Sequence, residues 1–244
     1  MKHNRRWDVI VVGGGHAGIE SALISSYLGA SVLIITMDVS ALGRMSCNPA
    51  IGGLAKGQMV REIDVLGGVM AQFADSAGIQ FKVLNKTKGR AVWSPRAQVD
   101  KRVYEKIVMK SVSNSSVSVF SGEVVSIDIA GRGVSGVVLR SGELIKTKTV
   151  IITSGTFLSG VIHVGERKIL AGRMGEERSE GLTESLVSLG FRAGRLKTGT
   201  PPRLDGTTIN YDALEKQDAD TLSLIHISEP TRPRLISYAV FCLK

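Results

Sequence analysis

Four consecutive apolar residues, Val9, Ile10, Val11 and Val12, run directly into Gly13-Gly14-Gly15-His16-Ala17-Gly18. A short apolar run bounded by glycine reads as a strand buried on both faces, the kind found in parallel sheets. The spacing Gly13-x-Gly15-x-x-Gly18 then restricts what can follow. The first glycine permits a tight turn and the second lets backbone approach phosphates. The third lets the next helix sit close to the strand, with its N-terminal N–H groups facing an anion. From Ile19 to Leu28 apolar residues recur at helical spacing up to Gly29, a helix stop, and Ser31 to Thr36 supplies a second apolar strand. The three pieces make a βαβ unit of the length a dinucleotide-binding fold requires. The acid that usually grips the ribose belongs at the end of the second strand. Here that place holds Thr36 and Met37, with Asp38 just beyond. Either Asp38 reaches back, or hydroxyl and backbone groups hold the ribose.

A second glycine-rich stretch, Ser46-Cys47-Asn48-Pro49-Ala50-Ile51-Gly52-Gly53, follows about thirty residues later. Its neighbours make Cys47 the sharpest candidate for chemistry. A buried structural cysteine is usually surrounded by apolar residues, whereas this thiol lies in a polar loop followed by Lys56. A thiol in a polar loop at a helix N-terminus has a route to a lowered pKa and to nucleophilic work. No second cysteine or paired histidine stands at ligand spacing, so no metal site is expected. His16 lies inside the phosphate loop and His163 follows Val161-Ile162, where a strand end accounts for it equally well.

Beyond Gly53, Leu54 to Phe73 reads as mostly helical, interrupted at Gly67-Gly68. Ile79 to Leu84 reads as a short strand, and Arg96 to Val112 as an amphipathic helix with Val99, Val103, Ile107 and Val108 facing the core. Between them lies a basic connector carrying Lys86, Lys88, Arg90 and Trp93. With Arg96, Lys101 and Arg102 it offers either a phosphate-binding groove or a solvated face. From about 117 to 148 the pattern becomes a β-meander, and Val150-Ile151-Ile152 returns to the parallel sheet. That strand ends in Thr153-Ser154-Gly155-Thr156, small residues that let a backbone or ligand come close. Leu182 to Leu189 is a short helix stopped by Gly190. The expected class is α/β, a Rossmann-like fold.

The chain has 244 residues, 43% of them hydrophobic, and a formal net charge of +9, which suits an anionic partner or simply a basic surface. No apolar run reaches membrane-spanning length, and the basic N-terminus leads into a strand rather than a signal-peptide core, so a cytoplasmic location is expected. Two cysteines, Cys47 and Cys242, make no disulfide framework. Residues 222–244 follow neither period nor turn logic. Leu222 to Arg232 match a translated transposase adapter, and Ile236 to Leu243 match the flow-cell end of a sequencing library. This stretch is read as a non-native, adapter-derived tail and is set aside from fold reasoning.

Five segments occur in the order and spacing of one family. They are Gly13-Gly-Gly-His-Ala-Gly18, Met45-Ser-Cys-Asn-Pro-Ala-Ile-Gly-Gly53, Gly78-Ile-Gln-Phe81, Thr153-Ser-Gly-Thr-Phe157 and Gly194-Arg-Leu-Lys-Thr-Gly-Thr-Pro-Pro-Arg203. Over residues 7 to about 221 the chain resembles the tRNA uridine 5-carboxymethylaminomethyl modification enzymes, also called the glucose-inhibited division protein A family. The resemblance implies a two-dinucleotide-binding flavoprotein fold, truncated here, with the meander as an insert. It implies an FAD-binding domain over 1–204 and the start of a second inserted domain at 205–221. FAD would be held by Gly13, Gly14, Gly15, His16, Ala17 and Gly18, with Val124 and Ser179 as further contacts. Cys47 would be one of two functional cysteines, the other lying outside this sequence. The implied activity modifies the wobble uridine of tRNA together with a partner GTPase, with NADH and methylenetetrahydrofolate as co-substrates. The full-length protein would be a homodimer, and this fragment by itself would be inactive.

Three other readings stand beside this one. A folate- and FAD-dependent tRNA uridine methyltransferase shares the loop and the substrate class, but the run from Cys47 to Gly53 points away from it. A flavin disulfide reductase needs a cysteine pair after the first βαβ unit, which the chain lacks. The third is a non-catalytic FAD-binding fragment. The tail reading has a direct check. When the locus is amplified from source DNA, the reading frame is expected to continue past Thr221 without any counterpart of residues 222–244. Finding codons for Ser223 to Pro230 in the chromosome overturns it.

Overall fold

The computed structural model describes residues 5–45, 48–199, 204–216, 218–220 and 224. In chain order the strands are β1 (Trp7–Val12), β2 (Val32–Thr36), β3 (Ala50–Gly52), β4 (Gly78–Leu84), β5 (Ser94–Val99), β6 (Ser118–Ser121), β7 (Val124–Ala130), β8 (Gly133–Leu139), β9 (Leu144–Ile152), β10 (Ile162–Val164) and β11 (Arg167–Ile169). The α-helices are α1 (His16–Tyr27), α2 (Lys56–Val65), α3 (Met70–Ser76), α4 (Lys101–Ser113) and α5 (Leu182–Ser188). The chain divides into two compact units, Met1–Arg44 with Glu105–Gly194, and Met45–Tyr104 with Arg195–Lys244. Residues 222–244 lie outside the described residues apart from Leu224.

The first unit is built on a six-stranded sheet in the order β6-β2-β1-β9-β8-β7. β1 runs parallel to β2 and β9, and β2 runs parallel to β6. β7, β8 and β9 form an antiparallel meander, and the last of these strands carries it back beside β1. This is the α/β, Rossmann-like architecture expected. Its core joins Ile10, Val12, Leu33 and Ile35 of the parallel strands to Val124, Val137, Leu139 and Ile145 of the meander, with Leu182 of α5 packed on top. β2 is buried at all but its last residue and β1 over its last three residues, which is why these two strands read as continuous apolar runs instead of alternating ones. Ser185 of α5 accepts the Ile127 N–H at 3.1 Å, tying that short helix to β7.

The second unit holds a three-stranded antiparallel sheet, β3-β5-β4, with α2 and α3 against it. Here the structure corrects two expectations. Residues 96–99 are strand, not the start of a helix. Ala97 and Val99 are buried at alternate positions, and Asp100 begins α4 by accepting the N–H groups of Arg102 and Val103 at 2.8 and 2.9 Å. Val99 and Val103 therefore match helical spacing by coincidence, and Val103 is exposed. The glycine-rich stretch that reads as a polar loop is likewise not all loop, since Ala50–Gly52 pairs with β5. Gly52 makes that approach possible: it sits at φ +87°, and a Cβ there would stand 2.2 Å from the Pro95 carbonyl. The outer edge of β4 is covered by residues 218–220. The Asp220 N–H donates to the Phe81 carbonyl at 2.7 Å, and its carboxylate accepts the Val83 N–H at 2.7 Å and pairs with Lys86 at 2.6 Å.

Asp8 links the start of β1 to Ser31, just before β2, and to the middle of β9. It accepts the Ser31 N–H and hydroxyl at 2.9 and 2.7 Å and meets Lys148 of β9 at 2.6 Å. The Lys148 contact, followed by those to Ser31, holds its carboxyl well below the usual carboxylate range. A depressed folded-state pKa gives stability that is complete above the unfolded-state value and is lost as pH falls through the folded one. Asp8→Asn is therefore expected to lower the thermal midpoint at pH 7, with the gap to wild type narrowing below about pH 4. Thermal unfolding of both proteins from pH 7 to pH 2 checks this, and a gap independent of pH contradicts it.

Candidate dinucleotide-binding site

The turn from β1 to α1 is held by contacts that replace side chains with backbone. Gly13 adopts φ +110°, and a Cβ on it would lie 2.6 Å from the Thr153 carbonyl oxygen. A Cβ on Gly18 would fall 2.0 Å from the Gly13 carbonyl oxygen, and one on Gly14 would fall 2.6 Å from the Leu42 side chain. Gly15 differs: a Cβ there meets nothing within 4 Å. Three of the glycines thus serve the protein's own packing, while Gly15 leaves open space in front of the helix.

The carbonyl groups of the turn face inward. The Val12 oxygen accepts the Thr153 N–H at 2.8 Å and its hydroxyl at 3.0 Å, and that hydroxyl lies 3.1 Å from the Gly13 oxygen. The Gly14 oxygen accepts the Gly43 N–H at 2.8 Å. His16, Ala17 and Gly18 form the first turn of α1, whose N–H groups have no carbonyl partner within the helix, and no acidic residue stands in that turn. Inward carbonyls, N–H groups at a helix start and room for further atoms at Gly15 together suit an anion such as a pyrophosphate.

His16 is mostly buried. Burial, reinforced by the Arg173 cation, lowers its pKa. Arg173 ends a charged chain that the sequence did not reveal. Asp38 lies 3.5 Å from Arg44, Arg44 lies 3.2 Å from Glu176, and Glu176 lies 3.4 Å from Arg173. Asp38 also accepts the Ser40 hydroxyl and N–H at 2.6 and 2.8 Å, contacts that lower its pKa. Its carboxylate is thereby engaged beside the end of β2. These partners lie as far as 132 residues apart, so no local spacing could have announced them.

Val124 and Ser179 are brought to one place by Glu123. The Glu123 carboxylate accepts the Glu180 N–H at 2.9 Å, bonds the Ser179 hydroxyl and pairs with Arg140. Arg140 and these hydrogen bonds lower the Glu123 pKa. Gly122 next to it donates its N–H to the Thr36 carbonyl at 2.9 Å, which sets this corner at the end of β2. The Val124 side chain is buried in the core, and Val124 pairs with Leu139 in the sheet.

Cys47 lies outside the described residues. Among the described residues that follow it, β3 comes before α2, which begins at Lys56. His163 is an exposed residue of the β10–β11 hairpin. The basic set is dispersed over several elements of the second unit. Lys86 pairs with Asp220, Arg90 stacks 5.7 Å from the Trp93 ring centroid, Arg96 bonds Gln98 at 3.2 Å, and Lys101 and Arg102 open α4. Among the described residues there is no metal-binding cluster and no helix long and apolar enough to cross a membrane.

The sequence profile of the family described as "Glucose inhibited division protein A" matches residues 8–238. The chain belongs to that family. It is 51% identical over 216 residues to the "tRNA uridine 5-carboxymethylaminomethyl modification enzyme MnmG" of Chlorobium phaeobacteroides, covering 88% of this chain and 35% of the relative. The protein of the same name from Chlamydia felis is 47% identical over 236 residues, covering 96% and 38%. Aquifex aeolicus GidA superposes with a TM-score of 0.83 at 49% identity, over 88% of this chain and 36% of that one. A GidA-related protein from Thermus thermophilus, at 18% identity and TM-score 0.53 over 77% of this chain and 70% of that one, shares the fold alone. The chain thus spans about a third of the length of the curated relatives it matches.

The glycine geometry makes a paired prediction for this family member. Gly18→Ala is expected to lower the thermal midpoint sharply, because its Cβ collides with backbone, whereas Gly15→Ala is expected to leave it within a few degrees of wild type. Thermal unfolding of the ligand-free variants checks this. Equal losses at the two positions contradict the division of roles.

Proposed function

We propose that this chain is the FAD-binding part of an enzyme that forms 5-carboxymethylaminomethyl-type groups at the wobble uridine of tRNA. The observation that carries the reading is the room for further atoms at Gly15, between inward carbonyls and a helix start, in a family whose named relatives are tRNA uridine modification enzymes. Bound FAD would supply hydride chemistry. The residues Gly13 to Gly18 would receive its pyrophosphate through backbone N–H groups, and the acid-free first turn of α1 would favour that charge. Val124 and the Ser179 corner, set by Glu123, would orient the rest of the nucleotide.

Cys47 would act as the nucleophile, its thiolate adding to an electrophilic carbon or to the pyrimidine ring. Exposed cations such as Lys88 and Arg90 would meet the tRNA backbone, which gives affinity without sequence specificity. NADH and methylenetetrahydrofolate would be co-substrates, a GTPase the partner, and a homodimer in the cytoplasm the working form. With about a third of the relatives' length present, the 244-residue chain would be inactive by itself.

Two variants of the full-length protein test this. Gly15→Val should purify without the yellow flavin absorbance, since its side chain fills that room. Cys47→Ser should keep flavin and tRNA binding yet lose wobble-uridine modification, because a serine hydroxyl at its normal pKa is a poor nucleophile at neutral pH. Mass analysis of tRNA nucleosides from a complemented deletion strain reads the second outcome. Stoichiometric FAD in Gly15→Val, or wild-type levels of the modified base with Cys47→Ser, removes the corresponding assignment.

A further inference from the structure

We propose that Thr153 is a positioning residue for cofactor binding: its hydroxyl, held between the Val12 and Gly13 carbonyls, sets the direction of the N–H groups that receive the pyrophosphate. The inference rests on the FAD reading above and concerns a residue outside the glycine loop. In a trans peptide the C=O and the following N–H lie in one plane and point in opposite directions. The Gly13 oxygen is 3.1 Å from the Thr153 hydroxyl, so the Gly14 N–H in the same plane is aimed away from Thr153. The Gly14 oxygen is held by the Gly43 N–H at 2.8 Å, and the Gly15 N–H is turned outward in the same way. Two inward contacts therefore aim two outward donors.

Of these two anchors, the one from Gly43 is a backbone N–H, and Gly43 itself tolerates no side chain, because it sits at φ +64° with a Cβ position 2.7 Å from the Val108 side chain. The one from Thr153 is a side chain and can be altered. Its surroundings leave little room for change. The hydroxyl oxygen would stand 2.9 Å from a Cβ on Gly18 and 3.2 Å from one on Gly13, so both neighbouring glycines pack around it. Valine would put a methyl group where the hydroxyl now lies 3.0 and 3.1 Å from two carbonyl oxygens. It would push the Gly13 peptide plane round and rotate the Gly14 N–H with it. Serine would keep the donor and drop only the methyl group.

The test uses deflavinated full-length protein titrated with FAD, and with ADP as a pyrophosphate probe that lacks the flavin. Thr153→Val is expected to weaken both ligands about tenfold, the size of one lost hydrogen bond. Thr153→Ser should stay within about threefold of wild type, and the ligand-free thermal midpoints of the two variants should agree within a few degrees. Wild-type affinity in Thr153→Val overturns the proposal, as does a loss in Thr153→Ser as large as in Thr153→Val. A fall in ligand-free stability that matches the loss of affinity also overturns it. Should Thr153→Val not fold, Thr153→Ala is read in its place, and failure of both to fold marks the hydroxyl as a folding contact and ends the proposal. If the wild-type protein binds neither FAD nor ADP, the cofactor reading itself fails, an outcome distinct from all of these.

Discussion

The approach of α1 to the end of β1 sets the terms for the first unit. With Gly18 a missing Cβ away from the Gly13 oxygen, helix and strand meet at a distance no other residue allows. That closeness turns the helix start toward the end of the sheet. It also lets Thr153, at the end of β9, reach the same turn from the other side. The parallel pairing of β1 with β2 and β9 then follows as the arrangement that buries the apolar faces of all three strands at once. Loosening this one contact would leave the sheet its strands but remove the geometry of the turn.

Several parts of this architecture were legible in the sequence because their signals are local. Val9 to Val12 could be read as a doubly buried strand, and Gly13, Gly15 and Gly18 carried the turn in their spacing. Gly29 and Gly190 marked helix ends, and both adopt positive φ. The second unit was harder to read. Val99, Val103, Ile107 and Val108 satisfy a helical period, yet Val99 belongs to a strand. The deciding residue is Asp100, whose capping role depends on where the helix begins and not on the hydrophobic pattern. β3 is only three residues long and is defined by its partner β5 more than by its own composition.

The candidate site divides along the same line. Backbone-forming positions from Gly13 to Gly18 were visible, because a glycine pattern records where the main chain must come close. The polar frame around them was not. Glu123, Arg140, Arg44, Glu176 and Arg173 are ordinary surface-type residues in sequence, and they acquire meaning only when the fold brings positions 44 and 176, or 123 and 179, side by side. Asp38 shows the limit most clearly. It stands just after β2 in the sequence, but its engagement with Ser40 and Arg44 depends on how the chain between positions 38 and 44 turns.

The cover on β4 has a consequence in time. An uncovered strand edge offers unpaired backbone groups to any other extended chain. The Asp220 carboxylate that closes this one lies 137 residues downstream of the Val83 N–H it binds. At ribosomal speeds of about 5–20 residues per second, that edge stays open for roughly 7–27 s after it is made. For that interval β4 is a landing place for a chaperone or a template for mispairing with a neighbouring nascent chain. The acidic residue that ends the interval does so with charge as well as hydrogen bonds, since the same carboxylate that takes the Val83 N–H also neutralises Lys86.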